Sequence, residues 1–407
     1  MTLRKPILIC HSSCLIEAVV IAFLLLCSSA LAENQENSSI SSPSAITFEG
    51  GHLHQIGSLK VLELHGSYRE MGRQYGYLLR DDLFRIYDNM SHDFGKSEAI
   101  SRDRLLDYGN RSFQLYPQRY KELILGMAET SDLGLDDLLI INCLQIYLLH
   151  AQGCSALAAW GNYTSNGPLV FGRNYDWSDK MRQYIVVTVF NPDDGSIPVA
   201  SIHYAGSIYL NTGMNQRGIF LETNGDTSES IYTINTVTTP ILLLTFLEDS
   251  ANLEEIEGRI RSTRPSDGCI VNVADKSEAR SYEWTPYDLK RRSPDEYGLL
   301  VSTNHFMNPE WGLDMPVPGI NDPIHTEVRR RILLYLAEMH KGNLTPNAVM
   351  DIMSRPLSKG GPLQTEELPT SYQVVAVPKD LKIWVRIPGV QNWTEVDLDH
   401  FFQNHLN

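Results

Sequence analysis

The sequence predicts an α+β fold, and three observations support this prediction. From Ser67 to about Leu149, apolar residues recur at spacings of three and four, which is typical of helices with one buried face. From Cys154 onward the chain changes to short β-branched runs punctuated by Gly, Asn and Asp, which is typical of strands. A content of 43% hydrophobic and 20% charged residues is ordinary for a globular protein. The change from helical to strand-rich composition therefore falls almost on Cys154.

The elements can be predicted in chain order. Residues 58–65 alternate like a strand, and a helix restarts at 133–141, where an aspartate near its N-terminus is favoured by the helix dipole. After Cys154 we expect a loop. The later predictions are strands at 168–176, 185–190, 199–203, 208–210 and 218–222, helices within 239–261, strands at 270–273, 279–283 and 299–302, helices at 326–339 and 346–353, and strands at 372–377 and 382–386.

The first 32 residues have the features of a separate leader. Two basic residues precede an apolar core at 18–27, and Ala30-Leu31-Ala32 fits a signal-peptidase site. We therefore expect a signal peptide at 1–32, a polar linker at 33–45 and an exported protein, either secreted or lumenal. A leader that is retained as a membrane anchor is the alternative.

Charge and motif content argue against several function classes. The formal net charge of −15 argues against nucleic-acid binding. The sequence contains no Gly-x-Ser-x-Gly elbow, no Walker-type phosphate loop and no dinucleotide fingerprint. The pairs His52/His54 and His400/His405 lack a Cys or His-Glu-x-x-His frame. We therefore expect no cofactor, no metal and no nucleic-acid partner.

Three cysteines remain after the leader: Cys143, Cys154 and Cys269. Three thiols form at most one disulfide, and one thiol is left over. If Cys154 is that thiol, Cys143–Cys269 is the only pair that can form. Both of these cysteines lie in apolar strings, so two buried unpaired thiols are an equal alternative.

Gly153-Cys154-Ser155 is the most informative stretch of the chain. A small residue before a thiol suits an enzyme that cuts its own chain before Cys154. The freed cysteine would then supply both the nucleophile and the base, because its thiol attacks while its α-amino group takes the proton. An α-amine titrates near neutrality and needs no histidine for this. A Cys–His dyad with His203 or His305 is the rival mechanism.

The motifs around Cys154 resemble one enzyme family. Gly172-Arg-Asn-Tyr-Asp-Trp177 follows the cysteine, while segments 66–76 and 134–139 precede it. In this combination the chain resembles the acyl-CoA:6-aminopenicillanic-acid acyltransferase-like group of N-terminal-nucleophile (Ntn) hydrolases. That group is related to penicillin V acylase, bile-salt hydrolase and N-acylethanolamine acid amidase. The resemblance implies a four-layer αββα sandwich, with a largely helical propeptide region at 46–153 and a catalytic region at 154–407.

The same resemblance implies roles for particular residues. Cys154 matches the nucleophile that autocatalytic cleavage reveals. Asp176 matches the residue that holds the α-amino group, and Arg173 the charge that keeps the thiolate ionised. Asn224 matches the oxyanion donor, because an amide N–H donates without exchanging a proton. Asn304 matches a second polar group near the nucleophile.

A further arginine of the site matches Arg329 or Arg330, and the run of three arginines leaves that choice open. These polar residues also have plain alternatives, namely a surface ion pair, turn residues and a solvated helix face.

The function implied is hydrolysis of a linear amide, or transfer of its acyl group, through an acyl-thioester on Cys154. A small-molecule acyl amide is then the expected partner, two associated chains are expected from one precursor, and a homo-oligomer is compatible with this. Water and an amine would meet the same acyl-enzyme, so the sequence does not separate hydrolysis from transfer. The alternative is a secreted binding protein on an inactive Ntn scaffold.

Overall fold

The computed structural model describes residues 45–92, 94, 101–148, 153–225, 236–294, 297–311, 324–366 and 368–402. The signal peptide that the sequence predicts and nearly all of the predicted linker lie outside these residues. Within the described ranges, no helix is both long enough and apolar enough to cross a bilayer.

Helices and strands occur in successive groups along the described chain. The helices are α1 Tyr68–Leu78, α2 Arg80–Ser91, α3 Arg102–Leu115, α4 Gln118–Thr130, α5 Leu135–Leu148, α6 Thr239–Glu248, α7 Leu253–Ser262, α8 Thr326–Met339, α9 Pro346–Ser354 and α10 Leu398–Phe402. The strands are β1 Ile46–Phe48, β2 Gly51–Ile56, β3 Leu59–Gly66, β4 Gly153–Ala159, β5 Val170–Asp176, β6 Ile185–Pro192, β7 Val199–Tyr204, β8 Thr212–Asn215, β9 Phe220–Gly225, β10 Cys269–Ala274, β11 Ala279–Trp284, β12 Leu289–Arg292, β13 Leu299–Ser302, β14 Thr370–Val377, β15 Lys382–Ile387 and β16 Gln391–Asp397.

The strands form a larger and a smaller sheet. The larger sheet has the order β1-β2-β3-β6-β7-β8-β9-β10-β11-β12, and the smaller has the order β13-β4-β5-β14-β15-β16. Neighbouring strands are antiparallel except β3 and β6, which are parallel and pair from Lys60↔Val186 to Gly66↔Pro192. The described part of the segment before Cys154 therefore supplies three strands of the larger sheet as well as five helices.

The two sheets pack face to face through apolar side chains. Val61 and Val187 of the larger sheet belong to the same buried cluster as Ala156 and Val374 of the smaller one. Because side chains alternate along a strand, the next residues point to the opposite face of their sheet.

Helices cover both outer faces of this sandwich. On the larger sheet, Leu62 and Val186 pack with side chains of α1 and α4 such as Met71 and Leu123. On the smaller sheet, residues including Leu157, Val375, Leu333 and Val349 form a separate cluster with α8 and α9. The order of layers is helix, sheet, sheet, helix, so the predicted αββα sandwich is confirmed.

Two of the predicted elements are wrong. Residues 208–210 are not a strand; they form a buried loop, and β8 begins only at Thr212. A short apolar run has the same composition in a strand and in a buried loop. Cys154 is followed by β4 and not by a loop. β4 is rich in alanine and is buried on both faces, so it shows neither β-branched enrichment nor alternation.

Glycines allow α1 and α4 to cross at close range. A Cβ built on Gly72 would lie 2.1 Å from the Leu123 carbonyl oxygen, and one built on Gly126 would lie 2.2 Å from the Arg69 carbonyl oxygen. Both obstacles are backbone atoms, so a side chain at either position would push the two helices apart. This contact accounts for one glycine of the segment 66–76.

We expect Gly126→Ala to lower the free energy of unfolding by about 1–3 kcal/mol, because overpacking forces a backbone shift. Urea denaturation would measure this change. Gly258→Ala in α7 is the matched control, since a Cβ there meets no atom within 4 Å. At that exposed helical position alanine should be neutral or stabilising by up to about 1 kcal/mol. An equal loss in both variants would contradict the proposed helix crossing.

Candidate active site

Cys154 lies at the start of β4, beside the motif carried by β5. The register pairs Gly153 with Asp176 and Cys154 with Tyr175. The Arg173 side chain lies on the same face as Cys154, and its Nη2 donates a hydrogen bond to Cys154 Sγ at 3.5 Å. Two adjacent antiparallel strands, β4 and β5, therefore bring the Cys154 thiol and the Gly172–Trp177 motif together.

Arg173 is fully buried, and a carboxylate balances its charge. Its Nη1 lies 2.6 Å from Glu222 Oε2, with neither side chain exposed. Its Nη2 also donates to the Thr223 carbonyl at 2.8 Å. A buried guanidinium needs such partners, because an uncompensated buried charge is strongly unfavourable. Sequence reasoning missed Glu222, although it stands two residues before Asn224 on β9.

The backbone of Cys154 is held on both sides by polar side chains. Its N–H donates to Asn304 Oδ1 at 2.7 Å, and its carbonyl oxygen accepts from Arg329 Nη1 at 2.6 Å. Arg329 Nη2 also donates to Asn304 Oδ1 at 2.8 Å. These contacts join three sequence-predicted residues from β4, the segment after β13, and α8.

Arg329 is the member of the arginine triplet that reaches Cys154, and it is fully buried. Arg330 is only partly buried, and Arg331 is exposed and pairs with Glu327 on the same helix. Of the two arginines that the sequence left open, Arg329 and Arg330, it is Arg329 whose side chain is hydrogen-bonded to Cys154.

Asp176 lies next to the bond that joins Gly153 to Cys154. Its carboxylate accepts from Thr370 Oγ1 at 2.6 Å, Arg329 Nη1 at 3.2 Å and Gln364 Nε2 at 3.3 Å. Burial raises the pKa of Asp176, while Arg329 and then the Thr370 hydrogen bond oppose that rise. The three donors favour the ionised form of this buried carboxylate.

Asn224 belongs to the group of buried polar residues around Cys154, which we call the Cys154 cluster, but among the described contacts it makes no hydrogen bond to the sulfur. The members of the Cys154 cluster are Cys154, Arg173, Asp176, Asn224, Asn304 and Arg329. It is fully buried on β9, and its Nδ2 donates to Ser302 Oγ at 3.1 Å. Its Oδ1 is buried and has no hydrogen-bond partner among the described residues. The next residue, Gly225, accepts from Asn304 Nδ2 at 2.8 Å. The oxyanion role assigned to Asn224 stays a prediction.

The thiol is neutral at pH 7 in this uncut chain. Burial raises the pKa of Cys154 to about 11, and the charge of Arg173 opposes that rise. The Cys154 nitrogen is a peptide amide here, because the chain is continuous from Gly153, so it cannot serve as a base.

The two candidate dyad histidines are engaged with other groups. His203 Nε2 lies 2.8 Å from Thr188 Oγ1, and its strand neighbours Ile202 and Tyr204 face the inter-sheet core, so His203 points to the helical layer. His305 Nδ1 lies 2.8 Å from Thr326 Oγ1. Burial lowers the pKa of each histidine to about 4.

Among the residues that the structure describes, neither a metal cluster nor a disulfide accompanies the site. Within the described ranges, no group of three or more His, Cys, Asp or Glu side chains is arranged to hold a metal ion. Cys143 and Cys269 are both buried and are not joined by a disulfide. The Cys143 thiol donates instead to the Leu105 carbonyl at 3.5 Å.

Comparison with known proteins gives two distant sequence relatives, and no family model matches the chain. Protein dcd1B of Dictyostelium discoideum is 24% identical over 278 residues, covering 60% of this chain and 55% of that protein. The acyl-coenzyme A:6-aminopenicillanic-acid-acyltransferase 40 kDa form of Emericella nidulans is 21% identical over 250 residues, covering 59% of this chain and 67% of that protein. The chain thus matches only about half the length of the Dictyostelium relative.

Solved structures with similar folds were also found. A Caenorhabditis elegans N-acylethanolamine-hydrolyzing acid amidase ortholog aligns with TM-score 0.42 and 18% identity, covering 61% of this chain and 97% of that one. A conjugated bile acid hydrolase mutant from Clostridium perfringens aligns with TM-score 0.41 and 13% identity, covering 62% of this chain and 94% of that one.

Proposed function

We propose that this protein is an autoprocessed amidohydrolase or acyltransferase that works through an acyl-thioester on Cys154. The chain is related to the acyl-CoA:6-aminopenicillanic-acid acyltransferases, as its motifs predict. One observation supports this more than any other. Asn304 and Arg329 hold the Cys154 backbone from both sides, while Arg173 contacts its sulfur. A cysteine that served only as a small core residue would need none of these three contacts.

Maturation uses the thiol against its own chain. The sulfur of Cys154 attacks the carbonyl carbon of Gly153, the C–N bond between the two residues breaks, and the thiol proton passes to the departing nitrogen. Water then hydrolyses the resulting thioester, which releases the Gly153 carboxylate and regenerates the thiol. The products are an N-terminal cysteine and a separate preceding fragment.

Turnover repeats this chemistry on a substrate amide. The new α-amine of Cys154 takes the thiol proton and later passes it to the leaving amine. The Arg173 guanidinium stabilises the thiolate, and the Asn224 amide donates to the oxyanion. Asn304 and Asp176 orient the α-amine. Water completes hydrolysis, and an acceptor amine completes acyl transfer. No step needs a cofactor.

The substrate is a small acyl amide, and the protein is exported behind a signal peptide. The fragment that ends at Gly153 stays bound, because its strand β3 pairs with β6 in one sheet and its helices bury apolar residues against that sheet.

Intact-mass measurement of the exported protein tests the proposal directly. We expect two chains, 33–153 and 154–407, that separate only under denaturing conditions. The bond after Gly153 should be cut without added protease. A single uncut chain that turns over acyl amides would contradict autoprocessing. An uncut chain that binds acyl amides without turnover would favour the binding-protein alternative.

Replacing His203 or His305 by Gln separates this mechanism from a Cys–His dyad. We expect the rate to stay within about tenfold of the wild type, because the α-amine already serves as base. Initial rates on any hydrolysed amide measure this, with mass spectrometry to show that each variant is cleaved. A loss of several orders of magnitude in a folded, cleaved variant would support the dyad, with Cys154 still the nucleophile.

A further inference from the structure

Gly153, the residue before the proposed cut, is a glycine for reasons of space. It is buried in β4, and it is not among the glycines with positive φ, so its backbone does not require glycine. A Cβ built on it would lie 2.9 Å from Gln364 Nε2 and 3.2 Å from Asp176 Oδ2. Real Cβ atoms essentially never come within 3.0 Å of another heavy atom. Two side chains therefore fill the space where a side chain of residue 153 would go.

The Gln364 amide is held in that position. Its Nε2 donates to Asp176 Oδ2 and to the Ile324 carbonyl, both at 3.3 Å. Its backbone N–H donates to Thr370 Oγ1 at 3.2 Å, and its carbonyl accepts from the Thr370 N–H at 2.9 Å. The side chain is almost fully buried, so moving it would break two hydrogen bonds without water to replace them.

The geometry of self-cleavage also describes the substrate. In maturation, Gly153 is the acyl part of the amide that Cys154 attacks. In turnover, the same sulfur attacks a substrate carbonyl from the same side, so the substrate's α-carbon takes the place of the Gly153 Cα. The atoms that surround the Gly153 Cα are then the atoms that surround the first carbon of the acyl chain.

We propose that Gln364, together with Asp176, makes this site selective for acyl groups whose α-carbon carries no branch in the orientation of an L side chain. This inference rests on the proposed function. The substrates it favours have a methylene next to the amide carbonyl. Peptide bonds that follow an L-residue other than glycine are disfavoured, because their Cβ would meet Gln364.

Self-cleavage tests the proposal without knowledge of the substrate. We expect Gly153→Ala to slow processing by about 10- to 200-fold, the usual penalty for one misplaced methyl group. In a Gln364→Ala background, the penalty for Gly153→Ala should shrink by at least about tenfold, because the two sites are in contact. In a Gln373→Ala background it should stay the same. Gln373 is also a buried glutamine; it lies on β14 and contacts Asn174 and the Met353 carbonyl, outside the Cys154 cluster.

Two enantiomeric substrates test the same contact in turnover. The probes are the (R) and (S) 2-methylhexanoyl amides of 7-amino-4-methylcoumarin, which have identical intrinsic reactivity. We expect the processed enzyme to discriminate between them by about tenfold or more in kcat/KM, and Gln364→Ala to reduce that ratio. Equal rates for both enantiomers would overturn the inference.

The failures of the two proposals can be told apart. If the wild-type chain is processed and Gly153→Ala is processed equally fast, the role of Gln364 is wrong while the proposed function stands. If neither the wild type nor Gly153→Ala is processed, both the proposed function and the role of Gln364 are wrong.

Discussion

Cys154→Ala should give a single uncut chain with no detectable turnover. The thiol is the nucleophile of both reactions, so its removal stops the attack on Gly153 and the attack on the substrate. Mass spectrometry measures the loss of self-cleavage, and product formation from acyl amides measures the loss of turnover. The fold should survive, because the substitution removes only the sulfur. The contacts of the Cys154 backbone with Asn304 and Arg329 do not involve the side chain.

The other two described cysteines provide the control for this variant. Cys143→Ala and Cys269→Ala remove buried thiols that pack in other apolar clusters than the Cys154 side chain does. Both proteins should be cut and active, with at most a loss of stability. Fragments in Cys154→Ala, with folding verified by circular dichroism, would mean that another protease makes the cut.

Asn224→Ala should reduce kcat by roughly a hundredfold or more, the usual scale for the loss of one oxyanion donor. KM should change much less, because the donor acts on charge that develops in the transition state. Steady-state kinetics on processed enzyme separates the two parameters. Asn224 is fully buried, and the carbonyls of its chain neighbours Thr223 and Gly225 accept hydrogen bonds from Arg173 and Asn304.

Asn191→Ala is the matched control for this change. Asn191 is also a buried asparagine, but its Nδ2 donates to the Phe401 carbonyl, outside the Cys154 cluster. It should affect stability and leave kcat close to the wild-type value. If Asn191→Ala and Asn224→Ala lower kcat equally, the effect of Asn224 is structural and its oxyanion role is wrong.

The sequence predicted those elements whose local pattern is unambiguous. Strands β6 and β14 are β-branched runs, and α8 repeats apolar residues at helical spacing, so each was located within two residues. β4 was missed because its alanines have no strand signature, although it carries the nucleophile. β1, β2, β12 and β16, which lie at or next to the edges of the sheets, were also missed, because short or mixed strands are defined by their partners and not by their own composition.

The residues of the candidate site also fall into those that the sequence predicts and those that it misses. The resemblance supplied Cys154 and the residues matched to it, and the structure brings Arg173, Asn304 and Arg329 into contact with it. Glu222, Thr370 and Gln364 had no comparable signal. Their contacts with Arg173 and Asp176 span 49, 194 and 188 residues of sequence, and only the folded sheets bring these groups together.

The parallel pairing of β3 with β6 has a consequence for the order of the folding reaction. Before the cut, both strands belong to one molecule, and the larger sheet forms in a unimolecular step. After the cut, the same hydrogen bonds join two molecules, so recovery from denaturant becomes second order and depends on protein concentration. Refolded yield should therefore fall on dilution for the processed enzyme and stay constant for Cys154→Ala.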